Sequence, residues 1–201
     1  MAKQPSRPKS LAMATRALSH GSPVRLDECR ADEDRPRRFL CDEMLSGLAR
    51  WLRIAGYDAA TVEPGQSDRR IVDQAIAERR TMLTGDRRIM QMRGSRGHVL
   101  VLSSSGIDAC ARELTDQLGL DWRFDPFSRC VLCNLRLETA DDSGRARLPP
   151  TVLQRPGLIN ICPGCRRLYW EGSHVERMQA RLARLSETRD CHRAAFRALV
   201  G

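Results

Sequence analysis

The sequence predicts an α/β fold with a mainly parallel sheet, followed by a small cysteine-rich module and a C-terminal helix. Short apolar runs alternate with amphipathic segments over residues 37–125, and this alternation is typical of right-handed βαβ crossovers. Two Cys-x-x-Cys pairs then mark a module over 126–185, which a helix from about 173 to 185 closes. Residues 1–36 are predicted to form a disordered basic tail, and residues 186–201 a C-terminal extension.

The apolar runs predict four strands and the helices between them. The strands are expected at 39–41, 58–62, 81–84 and 98–102. Apolar residues at helical spacing predict a helix after each of the first, second and fourth strands, with a short helix over 87–93 after the third. Gly56 and Gly119 stand where a helix ends in the left-handed conformation. The carboxyl ends of parallel strands share one edge, so an active site is expected there.

Composition and charge narrow the class of protein. The chain has 201 residues and a formal net charge of +9, and arginine supplies nearly all of its positive charge. The guanidinium group binds phosphate through a planar fork, so this balance favours a nucleic-acid partner; a GC-rich genome is the alternative explanation. No apolar run approaches the roughly 20 residues of a membrane helix, and no secretory signal is visible. We therefore expect a soluble, cytoplasmic protein without a membrane partner.

The two cysteine pairs predict a zinc ribbon. Cys130, Cys133, Cys162 and Cys165 form two Cys-x-x-Cys pairs, and four thiolates can close a tetrahedron around one Zn²⁺. Four protein ligands leave no open position, so the ion is expected to be structural, at one per chain. Free core cysteines and a redox pair are the alternatives, but neither accounts well for two such pairs in one short module.

Three carboxylates are the candidate catalytic residues. Asp42 follows the first strand, Asp68 lies in the first turn of the second helix, and Asp86 follows the third strand. In a parallel sheet these positions can converge at one edge, where oxygen ligands suit Mg²⁺ or Mn²⁺. The alternatives are local: Asp42 as a helix N-cap, Asp68 as a partner of the helix dipole, and Asp86 as a turn residue.

Several segments resemble the Mut-seven C-terminal ribonuclease domain family. FLCDEMLSGLARWLRIAGYD at Phe39–Asp58 is similar to the family's opening, and LTGDRRI at Leu83–Ile89 resembles its Leu-Thr-Arg-Asp-Arg segment. RCVLCN at Arg129–Asn134 resembles its first cysteine knuckle. CPGC at Cys162–Cys165, with YWEGSH at Tyr169–His174, resembles its closing motif. The resemblance runs in order from about residue 38 to 185.

The resemblance implies a PIN-like three-layer nuclease domain with a zinc ribbon, acting as a metal-dependent ribonuclease. It matches Asp42, Asp68 and Asp86 to the acidic residues that hold Mg²⁺ or Mn²⁺. Two departures stand out. Gly85 replaces a common arginine, and Ser103 follows the fourth strand where such nucleases often carry a fourth acidic residue. The Ser103 hydroxyl offers a ligand there, directly or through water.

Three hypotheses follow for the function. In the first, the chain is an endoribonuclease whose arginines bind the RNA backbone; the candidates are Arg50, Arg53, Arg87 and Arg88, each of which has a solvated helix face as its alternative interpretation. In the second, it is a non-catalytic RNA- or ribosome-binding adaptor in which the zinc ribbon makes the contacts. In the third and weakest hypothesis, the chain is a pure protein-interaction module; this is the weakest because no apolar surface marks an interface.

Overall fold

A four-stranded parallel sheet forms the centre of the computed structural model, which describes residues 37–154 and 156–200, with side chains up to residue 187. The strands are β1 (Arg38–Cys41), β2 (Asp58–Thr61), β3 (Thr81–Thr84) and β4 (Val99–Val101). Their order is β2-β1-β3-β4 and all neighbours are parallel. The predicted α/β class is confirmed, and each predicted strand is found within one residue of its expected bounds.

Helices connect these strands as the periodicity predicts. They are α1 (Ser46–Ile54), α2 (Asp68–Ala77) and α3 (Ile107–Leu118). A 3₁₀ turn at Glu43–Leu45 precedes α1, and the helix expected after β3 is a 3₁₀ turn at Arg87–Gln91. α3 ends at Gly119, whose φ of 63° lies in the left-handed region.

The sheet is covered on both faces. Successive side chains of a strand point to opposite sides, so Phe39 and Cys41 pack on one face while Leu40 packs on the other. The first face meets α1, α3 and the C-terminal helix, and the second meets α2 and the 3₁₀ turn that contains Ile89. This arrangement leaves the carboxyl ends of the strands as the edge on which a site can form.

The cysteine-bearing segment forms a separate small unit, which we call the four-cysteine module (residues 128–172). It contains the antiparallel strands β5 (Glu138–Thr139), β6 (Asn160–Ile161) and β7 (Leu168–Tyr169), in that order across the sheet. Two short helices, α4 (Asp142–Arg145) and α5 (Pro150–Leu153), lie between β5 and β6. Its own apolar core is small, which is typical of modules that depend on a metal.

The C-terminal helix differs from its prediction. α6 runs from Ser173 to Val200 as one element, so residues 186–200 are helical instead of forming a loose extension. The physical reason is the absence of glycine and proline from 186–200, which leaves nothing to stop the helix. The helix also packs on α3, and Leu182 and Leu185 join the core of the sheet instead of closing the four-cysteine module alone.

The sequence also predicts a disordered N-terminal tail and no membrane-spanning helix. The tail predicted for residues 1–36 lies outside the described residues. Among the helices that the structure describes, none is both long and apolar enough to cross a membrane.

Candidate functional site

The carboxyl ends of β1 and β3 are joined through Thr84. Its side chain is 0% exposed, and its Oγ1 donates a hydrogen bond to Asp42 Oδ2 at 2.7 Å. The same oxygen accepts a hydrogen bond from the Asp86 amide at 3.0 Å. The Asp42 amide in turn donates to the Leu83 carbonyl at 2.9 Å. One buried hydroxyl therefore fixes both the Asp42 side chain and the backbone that carries Asp86.

Asp86 is bound by Arg88. Asp86 caps the 3₁₀ turn, because its Oδ1 accepts from the Arg88 amide at 2.8 Å. The Arg88 guanidinium also binds both carboxylate oxygens, with Nη2 2.9 Å from Oδ2 and Nε 3.2 Å from each oxygen. Hydrogen bonds from the Arg88 side chain and amide hold the pKa of Asp86 below its usual range. Arg88, expected to contact RNA, is thus engaged with a candidate catalytic carboxylate.

The third candidate, Asp68, is the first residue of α2. It lies exposed in the first turn of α2, which enters from the end of β2. The hydrogen-bonded Asp86 raises the pKa of Arg88, and the negative charge of Asp68 adds to this effect.

The three aspartates do not form a compact ligand set. In the described part of the chain, one group of three or more potential metal ligands has all its ligand atoms within 4.8 Å of one another. That group is the four cysteines. Asp42, Asp68 and Asp86 share an edge of the sheet, and their oxygens suit Mg²⁺ or Mn²⁺ chemically. Their oxygens are not among the ligand atoms that lie within 4.8 Å of one another in the described residues, and Arg88 is paired with Asp86.

The loop after β4 is bound by an acidic side chain from α3, Glu113, which the sequence analysis missed. The Ser103 and Ser104 amides donate to the Glu113 carboxylate at 3.1 Å, and the Ser103 hydroxyl donates to it at 3.2 Å. Partial burial opposes ionisation, but these hydrogen bonds hold the pKa of Glu113 below its usual range. Asp108, the nearest acid along the chain, is paired with Arg181 at 2.6 Å. The only sequence signal for Glu113 was its place on α3, ten residues after Ser103.

The arginines predicted to bind RNA separate into two groups. Arg50 and Arg87 are exposed, as that role requires. The prediction for Arg53 is wrong: it is 5% exposed, and its Nε donates to the Ala59 carbonyl at 2.7 Å. Its Nη1 donates to the carbonyls of Val131 and Leu132 at 2.9 and 3.0 Å. Residue 53 falls one helical turn after the buried Ala49, which explains why it faces inward.

Arg53 is one of several side chains that join the four-cysteine module to the α/β domain. Asn134 is another: its amide group donates to Asp58 Oδ1 at 2.6 Å, and its Oδ1 accepts from the Ala59 amide at 3.0 Å. Arg80 and Arg38 also bind Asp58. Burial alone would raise the pKa of Asp58, but the hydrogen bonds from Arg80, Asn134 and Arg38 lower it to about 2.

The four cysteines lie on two knuckles of the same geometry. The residue after each pair, Asn134 or Arg166, has a positive φ, of 64° and 58°. Each amide donates to the carbonyl of the first cysteine of its pair at 2.9 Å. Both knuckles therefore turn their sulfur atoms toward the same point, as the spacing of the cysteines predicts.

The sulfur positions fit Zn²⁺. With Zn–S bonds of about 2.3 Å, the corners of a tetrahedron lie about 3.8 Å apart. The Sγ atoms of Cys130 and Cys165 are separated by 3.7 Å, and all four lie within 4.8 Å of one another. Burial raises the pKa of the Cys130 thiol, but hydrogen bonds from the Tyr169 hydroxyl and the Cys133 amide lower it to about 6. Tyr169 was absent from the predicted ligand shell; its hydroxyl lies 3.1 Å from Cys130 Sγ.

The comparison with protein families covers the sheet, the four-cysteine module and the start of α6. A family model described as the Mut7-C RNAse domain matches residues 37–182. The chain belongs to the Mut7-C RNAse domain family. The resemblance stated from the sequence motifs is thereby confirmed, and membership places the chain among nucleases.

A curated relative also has a nuclease name. The chain is similar to the human protein named Exonuclease mut-7 homolog, with 25% identity over 257 residues. The match covers 88% of this chain and 28% of the human protein, so the chain spans just over a quarter of that relative. No solved structure matches the chain at a significant level.

Proposed function

We propose that this Mut7-C RNAse domain hydrolyses RNA phosphodiester bonds at the carboxyl edge of its parallel sheet, with Mg²⁺ or Mn²⁺ bound by Asp42, Asp86 and Asp68. The Thr84 hydroxyl, which links Asp42 to the backbone of Asp86, is the observation that carries the proposal. A fully buried threonine that orients one carboxylate and one carboxylate-bearing loop is typical of a site whose ligands must be held in place. The proposal includes a PIN-like assignment for the α/β domain.

Different residues of the chain have different roles in the proposed reaction. Asp42 is oriented by Thr84, and Asp86 is held by the 3₁₀ turn that it caps. A divalent cation bound there supplies positive charge at the phosphodiester and lowers the pKa of the attacking water. Arg88 is paired with Asp86, and a cation held by Asp86 would free its guanidinium for an RNA phosphate, while the exposed Arg50 and Arg87 contact phosphates further along the strand. Glu113 holds the Ser103–Ser104 loop in position after β4.

A structural Zn²⁺ held by Cys130, Cys133, Cys162 and Cys165 completes the proposal. The 3.7 Å separation of two sulfur atoms and the paired knuckles support it. The ion stabilises a module whose apolar core is small, and through Arg53 and Asn134 it sets the position of that module on the sheet.

The experiment uses the purified full chain with linear and circular single-stranded RNA in Mn²⁺. We expect cleavage of both substrates, because an endonuclease needs no free end, whereas an exonuclease cuts only the linear RNA. Asp42→Asn and Asp86→Asn should reduce cleavage by about 100-fold or more, since changes to outer-shell partners alone cost about 10- to 100-fold.

Asp73→Asn is the matched control, because Asp73 is an exposed carboxylate on α2 that pairs with Arg69. Loss of cleavage in the D42N and D86N variants, with normal folding and unchanged cleavage in D73N, supports the proposal. RNA binding without cleavage in Mg²⁺ or Mn²⁺ would instead favour the non-catalytic adaptor.

A further inference from the structure

A long groove runs between α1, the four-cysteine module and α6. Its volume is about 1550 Å³. Gly47 and Arg50 line it from the first turns of α1, which begins four residues after Asp42. Ile107 lines it from the start of α3, directly after the Ser103–Gly106 loop, and its Cδ1 lies 3.2 Å from the Cβ position of Gly47. The groove therefore runs from the four-cysteine module to the first turns of α1, the helix that follows Asp42.

The lining of the groove is positive. Four arginines and two glutamates contribute to it. Arg50, Arg123 and Arg167 are exposed, and they come from α1, the segment after α3 and the four-cysteine module respectively. Cations spread along a groove from three elements suit a polyanion that follows its length.

The groove also offers an exposed aromatic face. Trp170 lines it and is 39% exposed, whereas the neighbouring Tyr169 is half-buried and bonded to Cys130. Trp51 is different, because the Arg181 guanidinium covers its ring at 4.4 Å. Trp170 is therefore an accessible indole whose backbone is anchored beside the cysteine centre.

We propose that this groove binds an unpaired RNA strand, with a base stacked on Trp170 and phosphates bound by Arg50, Arg123 and Arg167. The ligand class rests on the proposed nuclease function. Stacking platforms interleaved with cations are the recognition mode for single strands, whose bases present free faces. A duplex keeps those faces stacked internally, so the groove selects unpaired RNA before it reaches the carboxylates.

The test measures binding and not cleavage. Fluorescence anisotropy of a labelled oligouridine of about 12 nucleotides, within the site size of single-strand binders, is recorded with the zinc-loaded full chain and no added Mg²⁺ or Mn²⁺. We expect Trp170→Ala to weaken binding by about 10-fold, as loss of one stacked base does. Trp170→Phe keeps an aromatic face and should retain most of the affinity.

The matched controls are exposed residues of the same kind outside the groove. Phe124 is 44% exposed and stacks on Tyr57, so Phe124→Ala removes a comparable aromatic surface. Arg167→Ala should lower the slope of log affinity against log salt by about 1, because one phosphate contact is lost. Arg69→Ala, on the other side of the sheet, should leave the slope unchanged.

The outcomes separate this proposal from the nuclease proposal. If W170A and F124A weakened RNA binding equally, the proposal that the groove binds unpaired RNA would be wrong, even if Mn²⁺-dependent cleavage is found. Equal binding of duplex and unpaired RNA would also contradict it. If W170A weakens binding but the wild-type chain never cleaves RNA, the proposed RNA-binding groove is supported and the proposed nuclease activity is contradicted. Normal zinc content in each variant shows that the four-cysteine module has folded.

Discussion

Thr84 and Asp42 form a side-chain contact across two neighbouring strands, with the hydroxyl oxygen 2.7 Å from the carboxylate oxygen. They stand 42 residues apart in the sequence, and the parallel register of β1 and β3 brings them together. Because the Thr84 hydroxyl also accepts from the Asp86 amide, it has no freedom to turn away. The local geometry of two of the three candidate metal ligands, Asp42 and Asp86, depends on this one oxygen.

Thr84→Val should separate the role of that oxygen from the role of the side-chain volume. Valine keeps the shape but leaves the Asp86 amide without its partner, which costs about 1–3 kcal/mol of folding stability. Cleavage should fall by about 10- to 100-fold, as for other outer-shell changes, and Thr84→Ser should restore it. Steady-state cleavage rates and urea unfolding check both effects. A serine variant as inactive as the valine variant would assign Thr84 a packing role instead.

Arg88→Ala should increase the affinity for Mn²⁺. The guanidinium binds both oxygens of Asp86, so a divalent cation must compete with it for the same carboxylate. Electron paramagnetic resonance titration of free Mn²⁺ measures the change. Arg87→Ala removes the same formal charge from the exposed neighbouring position and should alter the affinity less. Identical titrations for the two variants would mean that only net charge matters.

Asp58→Asn should destabilise the fold by about 2 kcal/mol at neutral pH, which is the free energy equivalent of lowering its pKa from 3.8 to about 2. The pKa in the folded state is lower than in the unfolded state. The carboxylate therefore stabilises the fold fully above about pH 4, and this contribution is lost as the pH falls towards 2.

Urea unfolding of wild type and D58N at several pH values measures this contribution. The difference between them should shrink below pH 4, when Asp58 becomes protonated in the unfolded state. Asp73→Asn, at a pair that is about half exposed, should change stability far less. A difference between wild type and D58N that stays constant down to pH 3 would contradict the assignment to the Asp58 carboxylate.

The cysteine centre should hold about one Zn²⁺ per chain, as four thiolates at one point require. Cys133→Ser removes one ligand, and we expect elemental analysis to find little bound zinc and proteolysis to reach the four-cysteine module, which lacks a large core. Cys110→Ser is the control, because Cys110 lies outside this group and its thiol donates to the Ser104 carbonyl, as a serine can. Full zinc content in the C133S variant would refute the four-thiolate site.

Local patterns in the sequence sufficed for the secondary structure and the cysteine pairs. Strand bounds, the helices and the set of four clustered cysteines follow from periodicity and spacing, which neighbouring residues determine. Gly56 is one example: the sequence placed it at a helix end, and its φ of 100° agrees. The structure adds a second reason, because a Cβ there would lie 2.2 Å from the Asp125 carbonyl oxygen.

The tertiary structure decided which polar side chains are free and which are bound. Arg53 and Arg88 look alike in the sequence as exposed helical arginines, but one binds the backbone of the four-cysteine module and the other binds Asp86. Asp108 was the nearer acid to Ser103, and only the packing of α6 on α3 assigns it to Arg181 and leaves Glu113 for the loop. Such partners lie far apart in the chain, and periodicity describes only how a residue faces its immediate neighbours, so no local pattern could have identified them.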